Sequence, residues 1–381
     1  MKKTNQRNGI ALFILLTSLV ILSLGLKEIL VITGLQADRV RYHYYRTQAI
    51  YLARSAQSLA RFFLLYDLQI DNQVLKAEAT DGPNDIWANP IPFPVPSEAL
   101  QLMSSQMAEG AGLSKASNDA NKDEAPPIDE ALAKKCGDFF NDFPGNAVSQ
   151  ATELSGRINL NDLGNEHVFA SLVELLQASP EFLQSLTSKG IRPLELARQI
   201  RDYMDTNDIE DETQAKEDEA YRSDQLEYGP KNRPFTNLDE LKMVPGVDDE
   251  IYEYLSPFIS GVYLAHAGNI AKINLNTVTK EVFQSLLRNT SDPAQIAENF
   301  IKDRVENERA YTTKNYQKIL EDNFGLDKDK IRPAPPLVGT SNIFRIETEA
   351  TVNNVSIVFE GVMGRGLKKP RDPFATQRIS P

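Results

Sequence analysis

MKKTNQRNGIALFILLTSLVILSLGL, residues Met1 to Leu26, is the stretch that decides how the rest of the chain is read. Lys2, Lys3 and Arg7 precede Gly9, and from Ile10 to Leu26 no residue is charged. Such a run makes about 25 Å of helix, a little short of a bilayer core. Lys27 and Glu28 interrupt it, Ile29 to Ile32 resume it, and a tilted helix with snorkelling side chains spans a membrane over 10–32. A cleaved secretory signal would end in small residues of an A-x-A-like pattern past the apolar core. Thr33 to Ala37 (TGLQA) fits that poorly, so the run reads as a retained anchor. Charge does not orient it, because Lys27, Arg39, Arg41 and Arg46 rival the basic residues before it.

Outward from the anchor, Tyr42 to Leu65 (YHYYRTQAIYLARSAQSLARFFLL) keeps alanines, leucines and aromatics at helical spacing without Pro or Gly. One helix from Ile10 to about Tyr66 is expected, roughly 85 Å long. The 381 residues, 41% apolar, suffice for a globular body of more than one part. A net charge of −12 argues against broad contact with phosphate backbones. Cys136 is the single cysteine, so the chain forms no internal disulfide.

From Asp71 to Asp129 the pattern is irregular, with a proline cluster (NPIPFPVP, Asn89 to Pro96) and a polar stretch over 104–129 that reads as a flexible loop. A repeat follows. Ile158-Asn159-Leu160-Asn161 matches Ile273-Asn274-Leu275-Asn276, and a helical pattern follows each (VFASLVELL, VFQSLL), implying two related helical units. The repeated asparagine is expected to cap the helix after it. Ile343 to Met363 alternates apolar and polar residues around Asn353-Asn354, a hairpin signal.

The basic leader ending in Gly9 before an apolar helix resembles the type IV prepilin leader, which implies cleavage by a prepilin peptidase between Gly9 and Ile10, and methylation of the new end. Most of that family carries a glutamate at the fifth residue after the cut; here that residue is Ile14. With that leader, SGRINLNDL (Ser155 to Leu163), IRDYMDTND (Ile200 to Asp208), DEAY (Asp218 to Tyr221), RPFTNLDELKMVPGV (Arg233 to Val247) and AKINLNTV (Ala271 to Val278) occur in the order found in the minor pseudopilin K family of type II secretion systems. The resemblance covers most of the chain outside 71–146. It implies an α+β fold: a pilin-like long N-terminal helix and antiparallel sheet carrying a large inserted, SAM-like, two-repeat helical domain. The expected organisation is a leader over 1–9, a long helix over 10–66, a pilin-like region over 67–163, the inserted domain over 164–334, and a C-terminal hairpin and tail over 335–381. It also implies a subunit at the tip of a short periplasmic filament, anchored in the inner membrane and assembled with minor pseudopilins I and J, that starts or caps assembly for protein export. A minor pilin of a type IV pilus shares the leader and is the nearest rival.

Asp202 to Glu219 holds nine acidic residues against Lys216 alone. Crowded carboxylates suit a hard cation such as Ca²⁺. The EF-hand pattern fails, since Glu210 stands where its glycine and Lys216 where its glutamate would be. The resemblance implies calcium in this segment, with Asp205, Asp208, Asp218 and Glu219 as ligands and Asn207 and Asp211 behind them. Leu241 to Val247 is similar to a helix-hairpin-helix turn, the basis of a rival reading as a membrane-anchored DNA-uptake receptor. Its second glycine is missing, and Asp248 and Asp249 put negative charge where a phosphate would sit. No nucleic-acid partner is expected. No nucleophile elbow, P-loop, zinc-type His pair or Cys-His set is present, and His43, His167 and His266 are far apart in sequence, so neither an enzyme nor a small-molecule substrate is expected.

Overall fold

A computed structural model describes residues 4–75, 78–94, 145–207, 221–222, 226–261, 270–365 and 378–380. Helix α1 runs from Thr4 to Ile70, longer at both ends than expected. Its first half is bare: the apolar window from Ile10 has a mean hydropathy of 2.3 and none of it is buried. Its second half is a packing rail. Ala49, Leu52, Ala53, Ala56, Ala60, Phe63 and Leu64 recur every three or four residues and are all buried. The alanines let a sheet approach the helix closely.

That sheet is fully antiparallel in the order β1-β2-β7-β8-β9. Its strands are β1 (Ile91–Phe93), β2 (Gly145–Glu153), β7 (Ile343–Val352), β8 (Val355–Gly364) and β9 (Arg378–Ser380). The expected hairpin is β7-β8, and Asn353 takes the left-handed conformation at φ 50° that its tight turn needs. Two apolar clusters fill the space beneath the sheet. Nearer the anchor, Ala49 to Ala56 meet Ala147, Ala350, Val352, Ile357 and Phe359. Farther out, Ala60, Phe63 and Leu64 meet Trp87, Ile91, Ala151, Phe344, Ile346 and Met363.

Neighbours β2 and β7 pair from Gly145↔Val352 to Glu153↔Phe344, yet the helical block lies between them in sequence. Its entry and exit touch: the Leu154 N–H donates to the Ile343 carbonyl at 2.9 Å, and the Asn342 N–H to Ser155 Oγ at 3.1 Å. Close ends are what an inserted domain requires. Since Ala151 and Phe344 belong to the outer cluster, the block joins the sheet at the end away from the anchor.

The block has one continuous core of its own. Its first unit holds β3 (Ile158–Asn159), α2 (Glu166–Leu175), α3 (Pro180–Ser188), α4 (Pro193–Asp202), α5 (Asp249–Leu255) and β4 (Ile259–Ser260). Its second holds β5 (Ile273–Asn274), α6 (Lys280–Leu286), α7 (Pro293–Glu306), α8 (Tyr316–Phe324) and β6 (Leu337–Val338). In each the repeated motif forms a two-residue parallel pair, β3 with β4 and β5 with β6. The repeated asparagines depart from the expectation. Helix α2 is capped by Asn165 and α6 by Thr279. Asn159 and Asn274 instead accept from the N–H of Asn161 and Asn276 two residues on, and Asn161 and Asn276 reach across to distant backbone.

Candidate functional site

Three places bear on function: the anchor, the acidic segment, and the joint where helix, sheet and block meet. On the anchor, Ile10 is 62% and Ile14 58% exposed, so the position that would carry the family glutamate presents only hydrocarbon. Gly9 and Ile10 lie within α1.

Of the acidic segment, the structure describes only the start. Helix α4 delivers it, ending at Asp202. Asp205 accepts from the Asn207 N–H at 3.0 Å through one carboxylate oxygen and from Asn207 Nδ2 at 2.7 Å through the other. The Asn207 carbonyl accepts from Asn232 Nδ2 at 3.1 Å, which ties the turn to the first unit. Asp205 and Asn207 thus share one local turn. Asp208, Asp211, Asp218 and Glu219 lie outside the described residues.

In the turn over Leu241 to Val247, Gly246 adopts φ 79°. Asp248 caps α5 by accepting from the Ile251 N–H, and Lys189 pairs with it at 2.6 Å. The helix N-terminus that would receive a phosphate thus already carries a carboxylate.

The third place is the joint. Arg365, at the end of β8, is 1% exposed and donates to Asp67 on α1 and to Asp81 in the loop after it, with Asp71 at 3.5 Å. Its Nε donates to the Ser341 carbonyl at 3.2 Å, and its guanidinium lies 5.0 Å from the centre of the Phe344 ring. The Ser341 N–H returns a bond to Asp81 Oδ2 at 2.6 Å. Burial works against the charge of Arg365, but Asp81 and Asp67 outweigh it and hold the guanidinium protonated. One cation does not balance so many carboxylates. Burial, opposed by Arg365, raises Asp67 to about 6. Burial and the charges of Asp81 and Asp67 raise Asp71 to about 7. Burial likewise raises Asp85 to about 7, against the pull of its hydrogen bond from the Gly82 N–H.

Asp67, Asp71 and Asp81 are, among the described residues, the carboxylates close enough together to hold a metal ion. The guanidinium of Arg365 occupies their midst, so the cluster works as a structural clamp. A sequence signal for it did exist. Asp67 and Asp71 are one helical turn apart at the C-terminal end of α1, whose last turn has no basic residue. Two carboxylates at the negative end of a helix need a cation from elsewhere.

An unburied apolar helix, continuous with a rail under an antiparallel sheet that carries an inserted helical block, defines a pilin-like architecture whose N-terminal helix is long and apolar enough to cross a membrane. Residues 156–262 match the family model described as type II secretion system (T2SS), protein K. The relatives found bear the same name, type II secretion system protein K. That of Klebsiella pneumoniae is 26% identical over 136 residues, 35% of this chain and 40% of the relative. That of Pseudomonas aeruginosa is 26% identical over 189 residues, 47% of this chain and 51% of the relative. The chain thus spans about half or less of the curated relatives it matches. In fold it is similar to a chain in the crystal structure of the GspK-GspI-GspJ complex from the enterotoxigenic Escherichia coli type 2 secretion system. That likeness has a TM-score of 0.54 at 17% identity and covers 90% of this chain and 97% of that one. The match over 156–262 falls on the helical block and takes in most of the ordered motifs, so the resemblance read from those motifs to protein K of type II secretion holds.

Proposed function

We propose that this chain is a minor pseudopilin of type II secretion that sits at the filament tip. In this reading it is anchored in the inner membrane by α1, cut between Gly9 and Ile10 by the prepilin peptidase, and carries its head in the periplasm. The observation that carries the tip position is the attachment of the helical block to the membrane-distal end of the sheet. There the block projects beyond the head, where a stacked subunit would have to pass it. Ile14 adds to this, because a helix without the buried carboxylate offers no charge partner to a neighbour's amino end. The likeness to a chain in a GspK-GspI-GspJ complex supports pseudopilins I and J as its partners. Labelled heads imaged on assembled filaments test the position. One label per filament end is expected, and labels spaced along shafts would overturn it.

The acidic segment is proposed to hold Ca²⁺ through Asp205, Asp208, Asp218 and Glu219, with Asn207 and Asp211 in support. Asp205 and Asn207 fit a hard cation, offering carboxylate and amide oxygens on a turn at the protein surface. Bound calcium would neutralise like charges that folding crowds together. At a free concentration a hundred times its Kd, one ion should stabilise the chain by about 2.7 kcal/mol. Thermal melts with calcium and with chelator measure this. An Asp205→Ala, Glu219→Ala double variant that keeps the full calcium effect would move the site elsewhere.

A further inference from the structure

Where the sheet meets the helical block, Arg157 and Arg345 line a cavity of about 80 Å³ together with Thr236, Asn237, Ser260 and Glu360. A single water needs about 10–15 Å³, so the space admits several waters or one small polar group. Two guanidinium groups face one carboxylate there. Arg157 donates to the Ser256 carbonyl at 3.0 Å, and among the described residues no carboxylate is within ion-pair distance of it. The nearby Glu153 is engaged by Ser341 Oγ at 2.8 Å and by the Gly156 N–H at 3.1 Å. Arg345 is 3.5 Å from Glu360, with both side chains more than a third exposed, which makes a weak pair. Burial first, and then the charge of Arg345, depresses the affinity of Arg157 for its proton, so the two cations feel each other across the cavity.

We propose that this cavity binds one carboxylate group of a small organic acid, held between the guanidinium forks of Arg157 and Arg345. A monoanion brings the lining to neutrality. A doubly charged phosphate overshoots it and meets Glu360. Planar guanidinium groups also match the flat geometry of a carboxylate. Arg157 lies just beyond the entry to the block and Arg345 on β7, so the occupant would bridge the seam. This inference does not depend on the filament reading.

Thermal melts of the full chain in detergent test it, comparing sodium acetate, sodium chloride and inorganic phosphate at equal ionic strength. Acetate should raise Tm along a saturating curve that chloride does not reproduce. Arg345→Gln, a change at a side chain 38% exposed, should weaken the apparent acetate affinity at least about tenfold. Lys302→Gln, on the distant face of α7, should not. An equal response to chloride, tighter binding of phosphate than of acetate, or a wild-type response from both Arg157→Gln and Arg345→Gln would overturn the proposal.

Discussion

The two units of the helical block use the same device with different reach. In the first, Asn161 accepts from the Phe235 N–H at 2.7 Å and donates to the Phe235 carbonyl at 3.0 Å. In the second, Asn276 accepts from the Tyr311 N–H at 2.8 Å and donates to the carbonyls of Tyr311 and Gly339 at 3.0 and 2.9 Å. Each asparagine pins a passing strand of backbone beside a fully buried aromatic ring. The difference lies in the partner asparagine two residues earlier. Asn159 serves only its own turn. Asn274 donates to the Asp81 carbonyl at 2.9 Å and to Ser341 Oγ at 2.7 Å, and so joins the second unit to the residues that hold Arg365. Through Asn274 the second unit is tied by side-chain bonds to the loop after α1 and to the residues that lead into β7.

If that contrast is right, Asn276→Ala should be the most damaging change. It leaves the Tyr311 N–H and carbonyl unpaired, each at about 1–3 kcal/mol, and takes one of two donors from the Gly339 carbonyl, which keeps the Asp81 N–H, for a total on the order of 3–7 kcal/mol. Asn161→Ala strands two less buried groups and should cost about 2 kcal/mol. Equal losses in denaturant melts would break the distinction between the units. Arg365→Met ranks between these two, because removing one partner from a buried ion cluster costs about 3–5 kcal/mol. Its loss should loosen α1 from the second unit before the first, which hydrogen exchange can resolve.

The smallest expected effect is pH dependence. Asp67 at about 6, and Asp71 and Asp85 at about 7, lie above the ordinary value of 3.8, so the folded joint keeps protons that the unfolded chain releases above about pH 4. The stability contributed by these carboxylates is therefore greatest at acid pH and declines as pH rises through 6 and 7. Asp71→Asn mimics the protonated form and should flatten the slope between pH 5 and 8 by about 1–2 kcal/mol. An unchanged slope would remove Asp71 from the account.

What the sequence made legible was whatever rests on near neighbours. The apolar N-terminal helix, the rail from Ala49 to Leu64 and the hairpin at Asn353 all depend on periodicity or on one turn, and each appears where the pattern put it. The repeat is visible too, but a local pattern offers its asparagines only a capping role, because the partners of Asn161 and Asn276 lie 74 and 35 residues away. Arg365 lies 298 residues from Asp67, and no spacing rule joins them. Of the acidic segment, only the contact of Asp205 with Asn207, two residues apart, was open to a local reading.

The touching ends of the inserted block have one more consequence. With Leu154 and Ile343 already hydrogen-bonded, β2 and β7 form a hairpin whose loop happens to be a whole domain. Such a junction is a socket. A short turn would close it into a plain pilin head, and a foreign domain with adjacent termini would fit it without disturbing the strand register. The tether from Asn274 to Asp81 and Ser341 is one that the graft would have to replace, so the native domain is plugged in at the backbone and latched by side chains.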